Sequence, residues 1–285
     1  MQLGYTEQTK EFGGRTMSRW SVALFAGVSL VGFPCFAETA LDAEIHWVTR
    51  TSAAFAEASR SGKPVLLDLW AIWCEPCKEM DETTYRDAGV IQAIEHFVPL
   101  KINVDANELL VERYEVDGFP ATLFLDKDGG EIARRGGLLQ ADELLEALEM
   151  IREGYGSYLS NLEKRDDPTA LKEAAEFLSA VGNDGGAAKL LRSALKTAKK
   201  NGSTELESIE LDLALALLAD GQVGAAVKTM ERLSVSAVGS EVRGRALVGL
   251  VRAERERGHE KKAEQALARL RDEYPQLASS AQLQP

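Results

Sequence analysis

Sulfur and imidazole are both scarce in this chain. Three cysteines and three histidines among 285 residues exclude the dense, scattered cysteine framework that staples small secreted domains. They also argue against zinc, which normally takes four cysteine, histidine or carboxylate ligands. His46, His96 and His259 stand apart from one another, so no metal site is expected. Positive charge is in deficit too. Lysine and arginine number 33 against 45 acidic residues, a net charge of −12. That balance argues against nucleic acid and against anionic membrane surfaces as partners.

Long apolar runs are missing as well, with one exception. Residues 20–33, WSVALFAGVSLVGF, are almost wholly apolar and follow Arg19. Cys35 and Ala37 then place small residues at −3 and −1 of a cleavage point after Ala37. This is the layout of a secretory signal peptide, and the run is short for a bilayer span. Residues 1–37 are therefore expected to be a cleaved leader, with Met17 as the true start. The alternatives are an uncleaved membrane anchor and, less well matched, a lipid-anchored Cys35. Removing the leader leaves two cysteines, Cys74 and Cys77, too close to staple a long loop. Their purpose is expected to be chemical.

What is present fits a globular chain of two domains: 45% apolar and 27% charged residues suffice for a real core. The runs 64–70, 98–104 and 121–125 read as short buried strands. A turn at 126–130 precedes a hairpin partner at 131–135. Helical patterns occupy 51–61, 75–96 with a break near Asp87, 106–114 and 142–152, the last with Asp142 as expected N-cap. Strands alternating with helices give an α/β redox domain over 38–154, followed by a linker at 155–163.

From 164 to 285 no strand pattern appears. Gly182, Gly221 and Gly258 recur at spacings of 39 and 37 residues, each followed five residues later by alanine: Ala187, Ala226 and Ala263. A glycine ends one helix and an alanine lets the next pack closely. Leu190, Leu191, Met230, Leu233, Leu267 and Leu270 supply apolar faces. About three helical hairpins of tetratricopeptide-like type account for this period; a plain helical bundle is the alternative.

The dithiol motif is Cys74-Glu75-Pro76-Cys77. Pro76 suits the first turn of a helix, so the Cys74 sulfur would sit at a helix N-terminus, where free amides favour a thiolate. Cys77, one turn on, would resolve a mixed disulfide. Asp68 lies inside an apolar strand, where burial would raise its pKa and suit it to proton transfer; the alternative is a polar residue on an edge strand.

The run 65–78, VLLDLWAIWCEPCK, resembles the active-site strand and helix of the thioredoxin superfamily, and the likeness extends over residues 63–137. Residues 78–84 and Asn103-Val104-Asp105 are most similar to the periplasmic C-terminal domain of thiol:disulfide interchange proteins. The resemblance implies a thioredoxin fold, with Cys74 attacking, Cys77 resolving and Asp68 as the buried carboxylate. It implies that Lys101 lies near that carboxylate, where a surface lysine is the alternative. Trp70 and Trp73 would flank the site, though Trp70 serves equally as core. Phe119 and Pro120 would form the loop whose cis-proline faces the disulfide; with Trp73, Glu75 and Pro76 they would contact the substrate. Thr122 stands one residue later than the threonine of many thioredoxins, because Ala121 intervenes.

These readings imply a periplasmic or otherwise exported protein-disulfide oxidoreductase with no cofactor beyond the Cys74–Cys77 disulfide. Its partners would be disulfide-bearing client proteins, a membrane-bound electron donor, and a protein held on the helical repeats. Reduction is the expected direction, since Glu75 beside Cys74 disfavours the thiolate. Two alternatives are a redox-linked chaperone or scaffold and an apocytochrome c thiol reductase. Mass spectrometry of the exported form is expected to find a mature start near Glu38 and two titratable thiols; a retained Cys35 would overturn the cysteine argument.

Overall fold

The computed structural model describes residues 44–280; the expected leader, its cleavage point and Cys35 lie outside the described residues. Strand β1, Val65–Trp70, is the centre of the redox half. It pairs in parallel with β2, Val98–Asn103, and antiparallel with β3, Ala121–Leu125. Strand β4, Glu131–Gly136, pairs antiparallel with β3, giving the order β2-β1-β3-β4. Five of the six β1 residues are buried, as the near-continuous apolar run requires of a strand covered on both faces.

The connections carry α1 (Thr51–Ser61), α2 (Glu75–Glu82), a 3-10 turn (Thr84–Arg86), α3 (Ala88–Ile94) and α4 (Glu108–Arg113). The break expected near Asp87 is real. Its carboxylate accepts from the Val90 N–H at 3.0 Å and starts α3. Helix α5 runs Ala141–Glu163, and here two expectations are corrected. Its N-cap is Gln140, whose N–H is held by the Glu143 carboxylate at 2.9 Å, so Asp142 lies inside the first turn. The segment 155–163 is the end of this helix, with no linker between the halves. The reason is burial: Tyr155 and Tyr158 are both covered, and the Tyr158 ring lies 5.2 Å from that of Phe177.

Beyond α5 the chain forms three helical hairpins: α6 (Pro168–Ala180) with α7 (Asp184–Asn201), α8 (Leu206–Ala219) with α9 (Val223–Ser236), and α10 (Ser240–Glu256) with α11 (Glu260–Glu273). A short α12, Pro275–Ser280, follows. The hairpin turns hold Gly182, Gly221 and Gly258 at φ of 86°, 77° and 69°, a region costly for other residues. Ala187, Ala226 and Ala263 are buried where neighbouring helices meet. No helix among the described residues is long and apolar enough to cross a membrane.

Two apolar clusters divide the molecule. One lies on the face of β1 that holds Val65, Leu67 and Leu69, and includes Cys74 and Cys77. The other begins at Leu66, Phe124 and Ile132, passes through Leu148, Ile151 and Tyr155 of α5, and continues to Leu270 in α11. Polar contacts reinforce the join. Asn183 Nδ2 donates to the Glu131 carbonyl at 2.8 Å, and Arg135 to the Val181 carbonyl at 3.3 Å. The helices and the sheet thus share one core.

Gly154 is the tightest point of that join, since a Cβ there would lie 2.3 Å from Phe177 Cε2. Alanine would gain up to about 1 kcal/mol of helix propensity, but displacing a packed ring costs about 1–3 kcal/mol. Gly154→Ala is expected to lower the midpoint of thermal unfolding, with sheet and helices still melting together by circular dichroism and tryptophan fluorescence. Separate transitions would mean that the core is not shared energetically.

Candidate active site

The dithiol sits where β1 hands over to α2. Cys74 is the N-cap of α2, extended at φ −86°, ψ 98°, and its Sγ accepts from the Cys77 N–H at 3.2 Å. Pro76 occupies the first turn, where its missing N–H costs nothing. Cys74 and Cys77 are joined by a disulfide with Cα atoms 5.3 Å apart. Both are nearly covered, at 4% and 2% exposure. The sulfur of Cys74 therefore lies where the helix presents its free amides, the environment that stabilises a thiolate once the bond is reduced.

The surroundings are partly apolar and open. Ile72 and Trp73 are exposed beside the disulfide, at 68% and 61%. Trp73 Nε1 donates to Asp105 Oδ1 at 3.0 Å, and its ring meets Phe119 edge-on at 5.9 Å. The Phe119–Pro120 bond is cis. Glu75, next to Cys74, is mostly exposed and its carboxylate takes the Lys78 ammonium at 2.6 Å. Its negative charge is thus partly answered locally, a contact that weakens its expected influence on the thiolate.

Behind the dithiol, the strand register does the positioning. Asp68 stands opposite Lys101 of β2 on one side and Thr122 of β3 on the other, so it lies on a central strand and not on an edge. Lys101 is correspondingly not a surface lysine. Its Nζ lies 2.9 Å from Asp68 Oδ2, also contacts the Asp81 carboxylate, and is only 13% exposed. Trp47, Trp70 and Tyr85 surround it, with ring centroids 5.3, 5.6 and 5.1 Å from the ammonium. Trp70 therefore belongs to the lysine's cage, whereas Trp73 faces outward.

Burial pushes the Asp68 carboxyl above the ordinary carboxylate range, and the Lys101 charge and hydrogen bond pull it back only in part. Burial and the nearby Asp68 charge likewise hold the Tyr85 hydroxyl well above the usual tyrosine range. Thr122 is fully buried with the Tyr85 hydroxyl beside it. Asp68 stands opposite it across the ladder, so it faces the interior and not a client.

Sequence reasoning missed Asp81, Tyr85 and Trp47. Asp81 had a signal: it lies four residues after Cys77 on the same helix, hence on the same face one turn on. Tyr85 and Trp47 had none, since only tertiary folding brings them to Lys101. Among the described residues no cluster of histidine, cysteine, aspartate and glutamate could hold a metal ion.

The sheet order and the dithiol at a helix start define a thioredoxin-like domain carrying the site of a thiol–disulfide oxidoreductase. Residues 51–152 match the family model of the thioredoxin-like domain. Among curated proteins, the chain is 38% identical over 98 residues to the thiol:disulfide interchange protein DsbD of Yersinia pestis (strain Pestoides F), covering 32% of this chain and 16% of that one. It is 29% identical over 167 residues to DsbD of Vibrio vulnificus (strain YJ016), covering 52% and 28%. The chain thus spans less than a third of the length of these relatives. Among solved structures, the oxidised C-terminal domain of Neisseria meningitidis DsbD is 30% identical, with 36% of this chain and 97% of that one covered and a TM-score of 0.32.

Asp68 yields a prediction whose sign is fixed by its environment. With its folded-state pKa raised, the folded protein keeps a proton that the unfolded chain has lost, so stability falls as pH climbs through that window. Asp68→Asn is expected to be more stable than the wild type above the window. The difference should vanish below about pH 4, where the carboxyl is protonated in both states. Urea denaturation of the oxidised protein across pH reads this; a loss of stability at neutral pH would show that pairing with Lys101 outweighs burial.

Proposed function

We propose that this protein is an exported thiol:disulfide oxidoreductase that reduces disulfides in client proteins. The observation that carries the reading is the Cys74–Cys77 disulfide at the N-terminus of α2, flanked by exposed Trp73 and the Phe119–Pro120 loop. The similarity to thiol:disulfide interchange proteins supports the same chemistry.

In the proposed cycle the Cys74 thiolate attacks a client disulfide. A Cys74–client bond forms and one client thiolate leaves. Cys77 gives its proton to Asp68 and attacks Cys74 Sγ, which closes the Cys74–Cys77 disulfide and expels the second client thiolate. Two electrons have passed to the client. Trp73, Glu75, Pro76, Phe119 and Pro120 are the proposed client contacts, with Lys101 and Trp70 supporting Asp68. The dithiol is restored by an electron donor bearing its own dithiol, proposed to be membrane-bound. Export to the periplasm, through a leader ending at Ala37, would place the protein beside such a donor.

The three helical hairpins are read as a tetratricopeptide-like array that holds a protein partner. Their shared core with the sheet makes deletion a poor test of that role, because truncation would also uncover Tyr155 and Tyr158. The better experiment leaves the fold intact. Cys77→Ser is expected to retain attack by Cys74 and to accumulate mixed disulfides with a small set of exported proteins. Absence of any trapped client, with insulin reduction by the wild type also undetectable, would sink the reading.

The direction of transfer has its own test. Glu75 raises the energy of the Cys74 thiolate and Lys78 lowers it, so the two charges act oppositely on the reduced state. Glu75→Gln should make the reduction potential less negative and Lys78→Ala more negative. An exposed charge pair of this kind shifts a two-electron couple by roughly 5–20 mV. Equilibration with glutathione measures both, and a wild-type potential above that of the glutathione couple would mark an oxidant.

A further inference from the structure

One wall of the cavity beside Lys101 has no part in the cycle above. The cavity is about 240 Å3, and Glu44, Ile45, Trp47, Asp81, Tyr85, Arg86 and Lys101 line it, with Lys101 standing between it and Asp68. Most of these come from the redox fold itself. Glu44, Ile45 and Trp47 come from the segment that precedes α1, outside the residues matched by the thioredoxin-like family. That segment is held to the sheet edge by two backbone bonds. The Val48 N–H donates to the Pro99 carbonyl at 2.8 Å, and the Lys101 N–H donates to the Val48 carbonyl at 2.9 Å. The bonds fix Trp47 beside Lys101. Its ring meets Tyr85 edge-on at 5.0 Å and lies 5.3 Å from the Lys101 ammonium.

We propose that Trp47 is a positioning residue that walls off solvent from Asp68 and holds Lys101 against it, so that the indole sets the pH at which Asp68 exchanges its proton. The chemistry follows from what the ring does at each surface. Its face attracts the ammonium, which keeps Nζ between Asp68 and Asp81. Its bulk covers the Lys101 ammonium on the cavity side, and Lys101 in turn covers the carboxylate. The charged and titratable groups facing Asp68 are Lys101 from β2, Asp81 from α2, and Tyr85 from the 3-10 turn. Arg86 and Glu44 line the cavity farther out and pair with each other at 3.3 Å.

Removing the indole has two opposed effects. Water entering the cavity lowers the proton affinity of Asp68, while a loosened Lys101 raises it. Asp81, Trp70 and Tyr85 still hold Lys101 once the indole is gone, so water entry should prevail. The inference rests on the proposed cycle only for its catalytic meaning, and the primary measurement does not need the cycle to be right.

That measurement is the titration of the Asp68 carboxyl by carbon-13 NMR in oxidised protein, for wild type, Trp47→Ala, Trp47→Leu and Trp47→Phe. The Ala midpoint is expected to move down in pH. Leu should move the same way but less, since it fills space without an aromatic face, and Phe should stay near wild type. Trp47 is only partly buried, and Leu and Phe keep the site filled should Ala fold poorly. Unmoved midpoints in both Ala and Leu, or Phe moving as far as Ala, would overturn the proposal. The pH profile of client release from the Cys74 mixed disulfide should follow the same order. If no variant releases clients while the carboxyl midpoints shift as expected, the proposed function fails and the role of Trp47 stands.

Discussion

A carboxylate on the central strand is the constraint around which this structure is arranged. Asp68 is almost fully buried, and an isolated charge there would cost several kcal/mol even after relaxation. The sheet answers with Lys101 directly across the parallel ladder. Lys101 then needs its own accommodation. Asp81 supplies a second carboxylate and Trp47, Trp70 and Tyr85 supply ring surfaces. A lysine so enclosed gives up rotamer freedom on folding, and the contacts to its stem and ammonium offset that loss. The compensation is incomplete: burial still outweighs the pairing at Asp68. That residual imbalance is what makes the group suited to taking up a proton.

The dithiol packs with the alternate residues of the same strand. Val65, Leu67 and Leu69 pack with both cysteines, while Leu66 belongs to the core that leads into the helices. Alternation along β1 thus joins the dithiol's cluster to the helical core. Helix α5 carries the second connection outward. Its twenty-three residues cover the sheet and then serve as a wall for α6, with Gly154 admitting the Phe177 ring. A partner held on the hairpins would therefore be presented to Cys74 on a packed body and not on a flexible tether. Any gain in client occupancy would depend on geometry more than on tether length.

Local charge around the motif is more balanced than the chain's overall −12 suggests. Glu75 is met by Lys78 one turn away. Asp105 is engaged by the Trp73 indole. The exposed Trp73 ring, half-buried Phe119 and exposed Ile72 then leave a mainly apolar rim next to a helix start, the kind of surface on which an extended client segment can lie without confronting an unpaired charge.

Much of this was legible from residues alone. The apolar run at 64–70, the turn at 126–130 and the break at Asp87 are local matters of side-chain volume, glycine freedom and capping, and they determined the strands, the hairpin and the helix starts. The Cys-Glu-Pro-Cys spacing determined a dithiol at a helix N-terminus, and the glycine–alanine period determined three helical hairpins with positive-φ turns. Other features belonged to the tertiary structure. Register across β1 decided that Asp68 is central and that Lys101 is its partner. Packing of Tyr155 and Tyr158 against α6 decided that 155–163 is helix, although the change in composition near Gly154 had read as a boundary. Trp47 and Tyr85 reach Lys101 from segments separated in sequence, and no local pattern encodes such a meeting. Short-range preferences are written into neighbouring residues. Burial, and with it the proton affinity of Asp68, exists only once distant strands and helices have closed around the group.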